Sequence, residues 1–364
     1  MQSLSNLLIT LLLGYLTFVN TVADKFITLF DKSDNQENKS ITIISNEKLF
    51  RLPEELSNVS DVLKRNKQYQ QAALGGAVGL SGATTNEPLE AIVNIYCTFT
   101  TPQYIQTTTG TGFFIDPDGI ILTNAHVAQF LLLQSGFEGG RAECIIRSGS
   151  PAKNKYYAKL LYISPTWIVS NAKEMRKEIP KGTGERDYAL LYVTETVDNS
   201  PLPATFPALK FNTKLLSTTI KNQTITASGY PAYNLTTNNK TNRLLAQKST
   251  TTISELYTFG SNYADVFSIH GSPVGFQGSS GGPILNKNNE VIGMISTKGD
   301  DVVDGLGSLR AITISYIDRS IKKETGFSLN DNLNGDLDFR AKIFARAMTP
   351  FLIKILKSVP DTES

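Results

Sequence analysis

The stretch Phe276, Gln277, Gly278, Ser279, Ser280, Gly281, Gly282, Pro283, Ile284, Leu285 sets a serine among glycines, the make-up of a nucleophile turn. A serine hydroxyl attacks a carbonyl when a base takes its proton and backbone N–H donors wait where the oxyanion forms. Gly278 and Gly281 have access to backbone angles closed to other residues, so the N–H groups of Gly278 and Ser280 can converge on one point. Ser280 is therefore the candidate nucleophile, with Gly278 and Ser280 as candidate oxyanion donors. Taken alone, the stretch also reads as a Gly/Ser-rich loop leading into a strand over Glu290 to Ser296.

A base must come from the two histidines, His126 and His270. His126 lies in Leu122, Thr123, Asn124, Ala125, His126, Val127, Ala128, where a strand ends and a short helical turn can begin, which exposes the imidazole to a cleft. Arg186, Asp187, Tyr188, Ala189, Leu190, Leu191 then places an acid immediately before an apolar strand. An acid there can accept a hydrogen bond from an imidazole N–H, fixing its tautomer and stabilising the imidazolium that forms. Singly, these residues also read as a capping histidine and a turn aspartate.

The elements that must position them are strands. Short β-type runs recur from about Glu90: Ala91 to Phe99, Thr111 to Ile115, Ile120 to Thr123, Glu143 to Arg147, Tyr157 to Ile163, Tyr188 to Val193 and Gln223 to Ser228. Asp116, Pro117, Asp118, Gly119 supplies turn chemistry between two of them. Even-spaced strands of this kind argue an all-β barrel or sandwich. The chain of 364 residues, 40% hydrophobic, can bury one large or two ordinary domains. Its net charge of +2, without Lys/Arg clusters interleaved by aromatics, argues against nucleic acid as a partner. With two cysteines and two histidines, neither zinc-ligand spacing nor a disulfide-dense scaffold is available, and no metal or cofactor is expected.

Thr123 to Val127, Asp187 to Leu191 and Gly278 to Pro283, in that order, resemble the trypsin-like serine proteases of the chymotrypsin fold. Gly110 to Ile115, Gly119 to Val127 and a closing strand over Arg310 to Ile317 resemble the HtrA/DegP-type group; the similarity spans roughly Ala91 to Lys323. It implies two six-stranded antiparallel β-barrels with the site between them and hydrolysis of polypeptides through an acyl-enzyme. His126 becomes the general base, Asp187 its orienter and Ser280 the nucleophile; His270 matches none of the three. Ser279 departs from the Asp or Asn usual in the family, a shorter brace for the loop. The resemblance also puts the base of the substrate pocket at Val274, within Ser272 to Gly275, and the substrate-pairing edge at Ser296, Thr297 and Lys298. A valine there implies cleavage after small or medium aliphatic residues, whereas Lys298 or His270 reaching the pocket would favour Glu or Gln. The alternative to an active endopeptidase is a silent or latent protease-like domain that binds polypeptides as a chaperone or scaffold.

Cys97 and Cys144 fall in two strands of the first barrel and can pair in an oxidising compartment or remain buried thiols. Residues 1–23 carry no charged side chain and hold the apolar run Leu7 to Phe18, the pattern of an export signal or a retained membrane anchor, which puts the rest of the chain outside the cytoplasm. Residues 24–88 form a polar segment with one helical pattern after Pro53, in which Leu56, Val59, Val62 and Leu63 share a face, and a linker over Ala72 to Thr85. The protease domain is expected over 89–323. The extension 324–364 is too short for a PDZ domain and carries an amphipathic helical pattern over Asp336 to Lys357, broken at Pro350, either packed on the barrel or meeting a membrane or second subunit.

Overall fold

The structure, a computed structural model, describes residues 61–75, 82–102, 105–135, 140–172, 184–232, 243–260, 262–303 and 306–358. The apolar run near the N-terminus and the Pro53 helix with Leu56 and Val59 lie outside the described residues.

Six antiparallel strands close the first barrel: β1 Ile92–Thr100, β2 Ile105–Asp116, β3 Ile120–Thr123, β4 Arg141–Ser148, β5 Lys153–Ile163 and β6 Ala189–Thr196, in the order β1-β2-β3-β6-β5-β4. Closure follows from β1 pairing on both sides, with β2 and with β4, so the sheet has no open edge. The Asp116 to Gly119 turn forms as its residues dictate: Gly119 takes φ +92°, its N–H donates to Asp116 O, and Asp118 N–H donates to the Asp116 carboxylate.

A second closed barrel holds β7 Thr224–Gly229, β8 Gln247–Tyr257, β9 Val266–Ile269, β10 Pro283–Leu285, β11 Val291–Val303 and β12 Leu306–Thr313, in the order β10-β11-β12-β9-β8-β7. The closing strand expected over Arg310 to Ile317 is only half strand. Thr313 caps a helix by accepting from Tyr316 N–H, and α-helix runs over Ile314–Thr325 until Gly326 stops it at φ +89°. β8 gave no apolar alternation to read, because its threonines and serines are half-buried, apart from the exposed Thr250, and only Ile253 is fully buried.

In chain order the described α-helices are α1 Val62–Arg65, α2 Lys67–Leu74, α3 Pro88–Ala91, α4 Ala125–Ala128, α5 Pro165–Asn171, α6 Ile314–Thr325, α7 Leu337–Ala347 and α8 Thr349–Ser358. α7 packs on β5 and α8 on α5, so both cover the first barrel, burying Ile343, Phe344, Leu352, Ile355 and Leu356. Each such side chain contributes about 1.5–3 kcal/mol by leaving water. The break between them falls at Met348 rather than at Pro350, which sits in the first turn of α8, where its missing N–H has no helical acceptor to lose. α2 joins the same layer. Arg340 of α7, wholly buried, donates to Asn332 O, Asn332 Oδ1 and Asn334 O and to Tyr69 Oη of α2.

Cys97 and Cys144 are register partners across β1 and β4 and form a disulfide. Replacing both with alanine is expected to lower stability by about 2–4 kcal/mol. A reduced denaturant midpoint would show it, with a steeper slope as the freed unfolded chain exposes more surface, and an unmoved midpoint would refute it.

Candidate active site

His126 sits on the single turn of α4, directly after β3, with Asn124 at the helix start. Asn124 Nδ2 donates to Asp187 O at 2.9 Å, tying this turn to the segment that enters β6. That segment brings the Asp187 carboxylate, 3% exposed, under the imidazole. Asp187 Oδ1 accepts from His126 N–H at 2.9 Å, and Oδ2 faces His126 Nδ1 at 2.8 Å. A carboxylate only accepts, so Nδ1 carries the proton and Nε2 presents its lone pair to the cleft. Burial opposes the imidazolium, but the Asp187 charge and its hydrogen bond outweigh it, and the His126 pKa lies above its ordinary value.

A third donor reaches the acid. Ser296 Oγ, in β11, donates to Asp187 Oδ2 at 2.8 Å. Ser296 was expected only as part of a substrate-pairing edge; its side chain links the acid in one barrel to the second barrel.

Arg186, immediately before Asp187, has φ +56°. For a residue with a Cβ this left-handed conformation costs roughly 1–2 kcal/mol and persists only when neighbours hold it.

The nucleophile turn is built from close backbone approaches. Gly278 and Gly281 take φ +94° and +88°. A Cβ on Gly281 would lie 1.9 Å from Thr111 O, and one on Gly278 would lie 2.5 Å from Tyr230 O. Gln277 O accepts from Ala232 N–H at 2.7 Å, and because the peptide is planar and trans, the Gly278 N–H points the opposite way. Neither the Gly278 nor the Ser280 N–H donates to a protein acceptor, while Ser279, Gly281 and Gly282 donate to Phe276 O, Ile295 O and Ser279 O. Two free N–H groups on either side of Ser279 are what an oxyanion site requires.

Ser279 gives the turn no side-chain brace, since its wholly buried Oγ has no hydrogen-bond partner. Thr111 of β2 braces it instead. Its N–H donates to Ser280 O at 2.7 Å, and its Oγ1 donates to Gly278 O at 2.6 Å while accepting from Tyr230 N–H at 3.0 Å. Sequence reasoning missed this role. The signal was present in the flanking glycines, for a Cβ on Gly110 or Gly112 would press on Val127 or Ile121 at 2.6 or 2.7 Å.

Ser280 is half-buried, and its Oγ donates to Ser296 O at 3.4 Å; no hydrogen bond joins it to His126. Val274 does not line a pocket. It is wholly buried with Ile225, Ile295, Leu309 and Ala311 in the core of the second barrel, because the chain before the turn directs it inward. His270 is exposed just past β9, where its backbone bonds Thr252 O and Thr251 Oγ1, and no hydrogen bond ties it to the His126 and Asp187 pair. Thr297 and Lys298 lie in β11 opposite Arg310 and Leu309, and the Lys298 side chain lies outside the described part.

A family model described as Trypsin-like peptidase domain matches residues 110–294. No curated protein sequence matches the chain. Among solved structures, the chain is similar to the protease Rv3671c of M. tuberculosis in its active form, at 20% identity over 65% of this chain and 82% of that one, with a TM-score of 0.39. The inactive form of the same protease, carrying a serine-to-alanine mutation, shows 17% identity over 69% and 98% of the two chains, also at 0.39. The family match takes in just over half of the chain and runs from β2 of the first barrel to β11 of the second, so the protein belongs to the trypsin-like peptidases and is a serine-type peptidase.

Proposed function

We propose that the protein is a serine endopeptidase that cuts polypeptides through His126, Asp187 and Ser280. The observation that carries this reading is the His126 Nδ1 contact with Asp187 at 2.8 Å, in a chain where two free N–H groups flank the nucleophile turn. Ser280 Oγ attacks the scissile carbonyl and passes its proton to His126 Nε2. The Gly278 and Ser280 N–H groups receive the oxyanion, His126 returns the proton to the leaving amine, and water then hydrolyses the acyl-enzyme by the same steps. The Ser280 hydroxyl must first turn from Ser296 O toward Nε2; such contacts tighten when substrate binds. Cleavage after small or medium aliphatic residues belongs to this reading through the family resemblance alone, since Val274 is buried in the barrel core and supplies no pocket wall. The disulfide and the apolar run over Leu7 to Phe18 support a place outside the cytoplasm, released or tethered. Among the described residues, no helix is long and apolar enough to cross a membrane.

The resting contact of Ser280 with Ser296 O also supports a second reading, a latent domain that binds polypeptides without cutting them. A fluorophosphonate probe separates the two. Under the first reading the adduct maps to Ser280, and its rate of formation falls as pH drops through a value above the ordinary histidine pKa, because only neutral His126 accepts the proton. No labelling, under conditions that label a control protease, would favour the latent form. Stability runs the other way with pH. The raised folded-state pKa contributes stability that is complete below the ordinary histidine value and is lost as pH rises through the folded one.

A further inference from the structure

Tyr316, Ser320 and Glu324 stand four residues apart on α6 and form a buried polar stripe, on a helix beyond the region that the family model matches. All three grip the segment that carries Asp187. Tyr316 Oη accepts from Arg186 N–H at 3.1 Å, Ser320 Oγ accepts from the Tyr188 hydroxyl at 2.8 Å, and Glu324 Oε1 lies 3.6 Å from Arg186 Nε. Glu324 is itself held, accepting from the Tyr162 hydroxyl and from Ser164 Oγ, and the Tyr162 and Tyr188 rings stack at 6.0 Å. Between these anchors Arg186 keeps its left-handed φ of +56°. Relaxation of Arg186 to an ordinary conformation would rotate the peptide that follows and move the carboxylate receiving both His126 hydrogen bonds.

We propose that Tyr316, Ser320 and Glu324 are positioning residues for Asp187, so that a helix following the second barrel sets the seat of the acid in the first; this rests on the His126 and Asp187 roles given above. None of the three meets substrate. Tyr316 and Glu324 act by holding Arg186 in a conformation it would otherwise leave, and Ser320 by holding Tyr188 on the other side of Asp187.

The test uses the full chain carrying Tyr316→Phe or Glu324→Gln, each close to isosteric with the residue it replaces. Both variants should lose about 10-fold in kcat on a peptide substrate with KM unchanged, as expected when an orienting group shifts by a fraction of an ångström. The downfield proton resonance of His126 Nδ1–H, assigned by comparison with His270→Ala, should move upfield or broaden in both. That resonance does not depend on turnover. If it moves while wild type cuts no peptide, the catalytic reading fails and the positioning of Asp187 stands. If wild type is active, and both variants melt lower yet keep the resonance and kcat of wild type, the stripe is only structural and the proposal is overturned. Should Glu324→Gln fail to fold, Tyr316→Phe, which removes a single hydroxyl, decides alone.

Discussion

Ser280→Ala is expected to remove peptide hydrolysis, with kcat/KM falling on the order of 10⁴-fold or more, because nucleophile, base and orienter act as a unit. Ser279→Ala should retain most activity. The two serines are neighbours, and their environments differ in kind: Ser280 Oγ lies at the edge of the cleft against Ser296 O, whereas Ser279 Oγ is sealed in the interior without a partner. Removing an unpartnered buried hydroxyl costs the fold little, since no hydrogen bond is lost with it. Parallel assays of the two purified variants on one peptide decide the register, and a dead Ser279→Ala beside an active Ser280→Ala would overturn it.

Gly281→Ala should be among the most damaging single changes in the chain, lowering stability by on the order of 4 kcal/mol or more. Two penalties combine there. The left-handed φ of +88° strains any residue with a Cβ, and that Cβ would stand 1.9 Å from Thr111 O and 2.6 Å from Thr123 Oγ1. Gly260 isolates the first penalty, since it has φ +93° and nothing within 4 Å of an added Cβ. Gly260→Ala should cost only about 1 kcal/mol. Denaturant melts of both variants check this, and equal losses would mean that the barrel yields at Thr111 and that the turn is less tightly seated than its contacts imply.

The residues that carry the proposed chemistry were legible because each needs something rare: glycines around Ser280, one of only two histidines, an acid at the mouth of an apolar strand. Strands β1 to β7 were legible because their apolar residues recur in short runs between turns. Thr111 and Ser296 were not, for a different reason. Hydroxyl residues are common in this chain, and the groups these two serve, Gly278 O and the Asp187 carboxylate, come near only after the barrels close. Val274 shows the limit of spacing as a guide. A count of six residues back from Ser280 locates a position on the chain and says nothing of whether its side chain faces the cleft or the core, and here it faces the core. The end of β12 was misread because Ile312, Ile314 and Ile317 suit a strand as well as a helix, and the deciding feature was the single Thr313 cap.

The clasp between α2 and α7 bears on what a broken chain would do. Tyr69 is wholly buried, its hydroxyl accepts from Arg340, Ala72 O accepts from Asp336 N–H, and Gln70 Nε2 donates to Thr325 O. A nick between Gly75 and Gly82 would cut covalent continuity and leave these attachments intact. The upstream fragment would remain as a bound subunit, leaving only as fast as the helical layer opens. If the apolar run near the N-terminus is a tether, a peptidase nicked at that point would therefore stay where it was anchored.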